Sequence, residues 1–266
     1  MVNFVISLSK NNEKRREHIS NEFLLKRVGF KFFNAVTPSD IYDMSKIYKL
    51  DIGKTHLSEV EFSCFLSHYS LWVKMLDENL ECIGIFEDDI YLSNDSEKYL
   101  NDYNWVPDHV DIIKVENFFD EIFVRTKPNE IDENRKLYRL AGGNLGTAGY
   151  IITTKGAKKL VERFSNLEFF GAIDTEIFDK FIRDNNYVAC QIAPSLCVQD
   201  FILNQGYNEF PSQIEIERKE KLKNLKIKKL KHPLKYKLKR EMVRIFYKLH
   251  ELFRKMSIRK VTIKFK

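Results

Sequence analysis

The sequence predicts an α/β sandwich with a largely parallel central sheet over residues 1–212, followed by a basic helical C-terminal tail over residues 213–266. Three observations lead there. Short β-type runs alternate with amphipathic helical segments as far as about residue 193, the pattern of strands joined by crossover helices. Of the 266 residues, 44% are apolar, enough for a real core in one large domain. The charge divides along the chain: residues 213–266 carry 20 Lys and Arg against 5 Glu, or +15, and residues 1–212 carry 24 against 33 acids, or −9. The net +6 therefore belongs to the tail, and a boundary falls near 212, after Gly206 and Pro211.

The elements follow in order. FVISL at 4–8 is the first β-type run, and the segment 11–27 behind it places Ile19, Phe23 and Leu24 on one helical stripe. The segment 57–78 is a longer helix, opened by Ser58 as N-cap with Glu61 three residues on, a capping box. CIGIF at 82–86, DIIKV at 111–115, AGYIIT at 148–153 and YVACQIA at 187–193 are further strands, with helices expected at 155–164 and 174–184. No internal repeat is present. The N-terminus has a brief apolar run before its charges, the reverse of a secretory signal, and no stretch reaches the ~18 apolar residues of a spanning helix. A cytoplasmic protein is expected. Cys64, Cys82, Cys190 and Cys197 lie in apolar segments without CxxC or matching histidine spacing, which favours buried thiols over a zinc site or a disulfide framework.

At the end of the strand CIGIF stand three consecutive acids, Glu87, Asp88 and Asp89, followed by Ile90 and Tyr91. Ligands of open α/β sheets bind beyond the carboxyl ends of strands. Adjacent carboxylates repel one another, so such a cluster calls for a cation, and hard ions such as Mg²⁺ or Mn²⁺ take carboxylate oxygens together with substrate phosphates. A solvated acidic turn is the plainer alternative. There is no GxxxxGK[ST], no GxGxxG after a strand and no kinase signature, so the common phosphate-binding motifs are excluded. GGNLGTAGY at 142–150 is the main glycine-rich stretch, either a close approach to a ligand or a turn ahead of a buried strand.

Together ISLSKNNEKRREHI, LSEVEFSCFLSHYSLW, IFEDDI, GTAGYIITTKGAKKL, AIDTEIF and APSLCVQ, in this order from about residue 2 to residue 199, resemble glycosyltransferase family 25, which holds lipooligosaccharide galactosyltransferases of Gram-negative bacteria and collagen galactosyltransferases. The family's GEIGC reads VEFSC here, with Val60 and Ser63 in place of glycines. The resemblance implies a GT-A type fold and inverting transfer of a sugar, often galactose, from a UDP-sugar donor to a hydroxyl of a glycolipid or oligosaccharide acceptor, with Mn²⁺ or Mg²⁺. The three acids then resemble a DxD element, with Asp89 first in metal contact, Asp88 next, and Glu87 reaching the ribose or a metal-bound water. Strand alternation would put Glu87 and Asp89 on one face unless the chain turns at Asp88. Asp174 matches the family's acid at the start of a helix and is the expected base, with Glu176 as the alternative; a simple N-cap is the structural reading of Asp174.

Around the donor, the resemblance places Ser7 and Leu8 near the nucleotide base and Arg15 and Arg16 within reach of the uracil or diphosphate, one of the two being an ordinary helix charge. His68 shares a helix face with Glu61 and Cys64 and either contacts the donor, supports the acidic strand, or is a satisfied core residue. Gly146, Thr147 and Gly149 are expected to line the sugar pocket and Gln199 to close the donor site, with Asp200 as a secondary metal candidate.

In the tail, Leu238, Met242, Ile245, Leu249, Leu252 and Met256 recur at spacings of 4, 3, 4, 3 and 4 among basic residues, an amphipathic helix suited to the anionic inner face of the cytoplasmic membrane. The spacing also suits pairing in a homodimer, and the charge suits non-specific rather than specific nucleic-acid contact. Competing readings are a UDP-glucose or UDP-N-acetylhexosamine donor, a non-catalytic basic adaptor, and a metal-dependent phosphohydrolase.

Overall fold

The computed structural model describes residues 2–125, 127–204, 209–211 and 258–265. Along the chain run β1 (Val2–Ser7), α1 (Glu13–Leu25), β2 (Lys31–Asn34), α2 (Ile41–Tyr48), α3 (Glu59–Asp77), β3 (Cys82–Glu87), β4 (Ile90–Leu92), α4 (Ser96–Leu100), β5 (Ile112–Lys114), β6 (Glu116–Asn117), β7 (Glu121–Arg125), β8 (Asn129–Glu130), β9 (Lys136–Arg139), β10 (Gly149–Thr153), α5 (Thr154–Asn166), α6 (Ile173–Thr175), β11 (Ala189–Ala193), β12 (Cys197–Gln199), α7 (Asp200–Leu203) and β13 (Ile258–Thr262).

Eight strands form the central sheet in the order β2-β1-β3-β10-β5-β11-β9-β8. Following the pairings across the sheet, β2, β1, β3, β5, β11 and β8 point one way, while β10 and β9 are reversed. The sheet is mixed, with most strands in one direction.

Side-chain alternation divides the core between the two faces. Phe4, Ile83, Ile85, Ile112, Tyr150, Ile152 and Ala189 pack with α3 and α5. Their neighbours Val5, Phe86, Ile113, Ile151 and Cys190 pack on the opposite face with Ile19 and Phe23 of α1. Burial on both faces is why these strands read as continuous apolar runs. Ser58 caps α3 as the sequence predicts: its Oγ accepts from Glu61 N at 3.2 Å and its N–H donates to Glu61 Oε2 at 2.9 Å.

The helix expected over 174–184 is not regular. α6 gives way to a π turn at Glu176–Lys180 and a 3-10 turn at Phe181–Arg183, and these bury Ile177, Phe178 and Phe181. In the central sheet β2, β8 and β9 fall outside the runs expected as strands, as do β4, β6, β7, β12 and β13 elsewhere, because these segments are short or mix polar with apolar residues. The amphipathic stretch 238–256 lies outside the described residues. The last described residues of the span expected to form a helical tail form a strand instead: β13 pairs antiparallel with β7, Ile263 is buried, and Ser195 N donates to Lys264 O at 2.9 Å.

Candidate active site

At the end of β3 the backbone turns. Glu87 is the last residue of the ladder, opposite Ile6 of β1, and Asp88 and Asp89 make the turn into β4. This turn overrides strand alternation, so Asp88 and Asp89 share a cation while Glu87 has separate partners. Arg15, in the first turn of α1, donates from Nη1 to Asp88 Oδ1 and lies 3.8 Å from Asp89 Oδ2. Asn12 Nδ2 donates to Asp88 Oδ2 at 2.6 Å. Arg15 Nη2 donates to the Phe210 carbonyl at 2.6 Å, which ties residues 209–211 to the site. Glu87 Oε1 accepts from Thr147 Oγ1 at 3.0 Å and lies 3.7 Å from His68 Nε2.

The electrostatics differ for each acid. Burial opposes the charge on Glu87, but the neighbouring His68 ring, the Thr147 hydroxyl and Arg15 outweigh it and hold the carboxyl below the usual range. Burial and the negative charge of Glu87 push Asp89 up to about 7, against the pull of Arg15. Burial likewise opposes the charge on Arg15, and Asp88 and Asp89 more than offset it, holding the guanidinium above its ordinary value. Arg15 thus supplies part of the cation that three adjacent acids require.

The donor set can be tested against a hard divalent ion. Both Asp88 oxygens are engaged by Arg15 and Asn12. Asp89 is engaged less closely, with Oδ1 3.4 Å from Gln199 Nε2 and Oδ2 3.8 Å from Arg15. Asp89 is therefore the carboxylate best able to ligate such an ion, and Asp88 could join it by loosening its grip on Arg15. The residues present fit Mn²⁺ or Mg²⁺.

A cavity of about 260 Å³ opens in front of the acids, between β1, the start of α1, residues 35–38 and α3. Ser7, Leu8, Arg15, His68, Glu87, Asp88 and Asp89 all line it. Another groove, of about 380 Å³, lies along α5, where Lys159 and Arg163 are already paired with Asp111 and Asp184.

Two reversed pairings bring distant segments to the acids. β10 runs antiparallel to β3, with Gly149 opposite Phe86, so the loop entering β10 meets the end of β3, and Glu87 N donates to Ala148 O at 2.9 Å. Thr147 reaches Glu87 for this reason. Gly146 has φ +93°, and a Cβ there would run into the Glu116 carboxylate. A fully buried ion pair braces the loop from below: Lys114 Nζ lies 2.9 Å from Glu116 Oε2 and 2.6 Å from Gly146 O. Burial pushes the Glu116 carboxyl up, with Lys114 opposing. β12 runs antiparallel to β4 with Gln199 opposite Ile90, which carries Gln199 to Asp89.

Asp174 Oδ2 accepts from Gly146 N at 3.3 Å, and Oδ1 accepts from Thr175 N at 2.7 Å. It sits within α6, whose N-cap position is Ala172, so the N-cap reading does not hold. Asp174, Gly146, Thr147 and Gln199 lie beside the acids without lining the cavity, so the loop expected to line the sugar pocket does not do so, and Glu176, Arg16 and Gly149 are committed elsewhere. Glu176 is buried, with Oε1 accepting from Gly171 N at 2.6 Å and paired with Lys180 at 2.7 Å. Arg16 turns to β2, donating to Asn34 Oδ1 at 2.7 Å with its guanidinium over Phe32. Gly149 is a packing glycine whose added Cβ would strike Cys197 Sγ. Asp200 accepts from Asn204 Nδ2 and from the backbone of Glu209 and Phe210, which makes it a brace for the segment beside Arg15.

Residue-level reading of the sequence did not single out Asn12, Tyr150 or the Lys114–Glu116 pair. Asn12 stands at the N-cap position of α1, yet its amide goes to Ser7 and Asp88. A lysine and a glutamate two apart in a β-type run, DIIKVEN, were the available signal for the buried pair.

The profile described as glycosyltransferase family 25 (LPS biosynthesis protein) matches residues 1–182. The lacto-N-neotetraose biosynthesis glycosyltransferase LgtE of Neisseria meningitidis serogroup B is 37% identical over 209 residues, covering 75% of this chain and 74% of that protein. LgtB of the same organism is 35% identical over 211 residues, with 75% and 76% covered. The lipooligosaccharide biosynthesis protein lic2B of Haemophilus influenzae is 32% identical over 277 aligned positions, with 100% and 99% covered.

Proposed function

The chain belongs to glycosyltransferase family 25, and from that membership we propose that it is an inverting, metal-dependent enzyme of the GT-A type. It moves a hexose, galactose by preference, from a UDP-sugar to a hydroxyl of a lipooligosaccharide or lipopolysaccharide glycan. The observation that carries the reading is Asp89, a carboxylate at a strand end, on the wall of a cavity, pushed up to about 7 and incompletely paired with Arg15. A bound Mn²⁺ or Mg²⁺ supplies a Lewis acid for the departing UDP. Asp89, seconded by Asp88, would hold that ion.

The chain's own residues do the rest. Arg15 holds the acids in place and offers its charge to the diphosphate. Asp174 takes the proton of the attacking acceptor hydroxyl; its contact with Gly146 sets it one residue from Thr147 and hence from Glu87. Glu176, already spent on Lys180 and Gly171, is the poorer base. The names of the relatives support a glycan acceptor, and UDP-glucose or UDP-N-acetylhexosamine is the alternative donor on the same scaffold. The basic segment after residue 212 is proposed to hold the enzyme to the anionic inner face of the cytoplasmic membrane, with pairing in a homodimer as its other use. No helix among the described residues is long and apolar enough to cross a membrane.

Isothermal titration of the full chain with UDP, with and without Mn²⁺, is the test. Metal-dependent binding that disappears in Asp89→Ala supports the reading, and screening UDP-sugars for turnover then names the donor. Absence of UDP binding under every condition would sink it and move weight to the adaptor reading.

A further inference from the structure

One wall of the cavity carries a hydrogen-bond chain whose proton positions follow from counting donors and acceptors. His68, fully buried on α3, places Nδ1 2.9 Å from the Tyr150 hydroxyl and Nε2 3.7 Å from Glu87 Oε1. Trp72, one turn on, brings Nε1 to 3.0 Å from the same Tyr150 oxygen. An indole N–H can only donate, and a phenol has a single proton. The Tyr150 oxygen therefore accepts from Trp72 and sends its own proton to His68 Nδ1. Were Nδ1 protonated instead, two donors would face the Tyr150 oxygen and the phenol proton would be stranded in a fully buried site, the costly outcome for a buried polar group. With Nδ1 as acceptor, the ring proton resides on Nε2. That nitrogen is fully buried and, among the described residues, has no partner within hydrogen-bond distance.

We propose that Tyr150, oriented by Trp72, is a positioning residue that locks His68 as its Nε2–H tautomer and so presents the cavity with a hydrogen-bond donor beside the Glu87 carboxylate. Donor and acceptor side by side suit a hydroxyl, which can accept from Nε2–H and donate to Glu87 Oε1; a phosphate oxygen would meet the charge of Glu87. This use of the pair rests on the nucleotide-sugar reading above, whereas the tautomer itself does not. The same tautomer rules out a metal at this point. Ligand atoms of Cys64, His68 and Glu87 all lie within 4.8 Å of one another, a donor set suited to Zn²⁺ if Nε2 offered a lone pair. The Tyr150 proton denies it that lone pair.

The experiment is ¹⁵N NMR of the full chain labelled at histidine, with the His68 signals identified by their loss in His68→Gln. The expected spectrum shows a protonated Nε2 and a bare Nδ1. Tyr150→Phe, which removes the hydrogen bond to Nδ1 while Glu87 still faces Nε2, should shift the bare Nδ1 resonance downfield and weaken UDP binding roughly tenfold, the scale of one hydrogen bond. Nδ1–H or a doubly protonated ring in the unmodified chain overturns the proposal, and that spectrum alone suffices if Tyr150→Phe does not fold. An unchanged Nδ1 resonance and unchanged UDP affinity in a folded Tyr150→Phe overturn the role of Tyr150. Stoichiometric Zn²⁺ binding that is lost in Cys64→Ser overturns the proposal as well. A chain with the expected spectrum that binds no UDP would instead remove the nucleotide-sugar reading and leave the tautomer standing.

Discussion

At the scale of single residues, Arg15 carries the largest share of the site's organisation. Its guanidinium satisfies Asp88, neighbours Asp89 and holds the Phe210 carbonyl. Arg15→Ala leaves two largely buried carboxylates without their cation and should cost about 2 kcal/mol in urea unfolding, with Arg15→Lys recovering only part because a point charge cannot serve three partners in a fork. Asp89 makes the stability of the metal-free protein depend on pH. Its folded-state value of about 7 exceeds the ordinary 3.8. Between those two values the folded chain keeps a proton that the unfolded chain releases, so this group's contribution is most favourable below about pH 4 and declines as pH rises toward 7. Denaturation in chelator should show that decline, and Asp89→Asn should flatten it.

Elements turn these residues into a site. α3 is fixed at its start by the reciprocal bonds of Ser58 and Glu61, and it carries His68 and Trp72 to the sheet. Ser58→Ala should cost about 1 kcal/mol and lower the melting temperature without altering UDP affinity. β10 is the more sensitive element, because its reversed course brings Thr147 to Glu87 and its first residue lies against Cys197. Gly149→Ala overpacks that contact and should cost about 1–3 kcal/mol, again read by denaturation, with weaker UDP binding as the Gly146–Ala148 loop shifts. The capping box, the strand before the acids and the face of α3 bearing His68 were all legible in the sequence, since each is a pattern within a few residues. The irregular turns after Asp174 were not, since IDTEIFDKFIR carries no breaker that distinguishes a wide or tight turn from an ordinary helix.

At the scale of the whole molecule, residues 258–265 pack against the same body as residues 2–204. β13 completes a two-stranded sheet with β7, covering Ile122 and Val124, and Ile263 N donates to Asp120 O at 2.7 Å. A chain ending at residue 212 would leave β7 as an exposed edge and lose the burial of Ile263. Such a truncation should melt at a lower temperature than the full chain, and a peptide spanning 258–266 added in excess should restore part of the difference. Equal melting temperatures would show that β13 contributes nothing to stability.

The sequence by itself determined the α/β alternation, the core strands, the acids at a strand end, the cap of α3 and the order of family motifs, because each is written in local periodicity or in contiguous residues. Tertiary structure decided which of these meet. That β10 enters the sheet backwards between β3 and β5, that β12 folds antiparallel onto β4, and that Tyr150 rather than a nearer residue sets the proton on His68 are consequences of pairings between residues some 40 to 110 positions apart. Strand direction and order depend on the balance of burial over the whole sheet, a long-range quantity that no short stretch of sequence encodes.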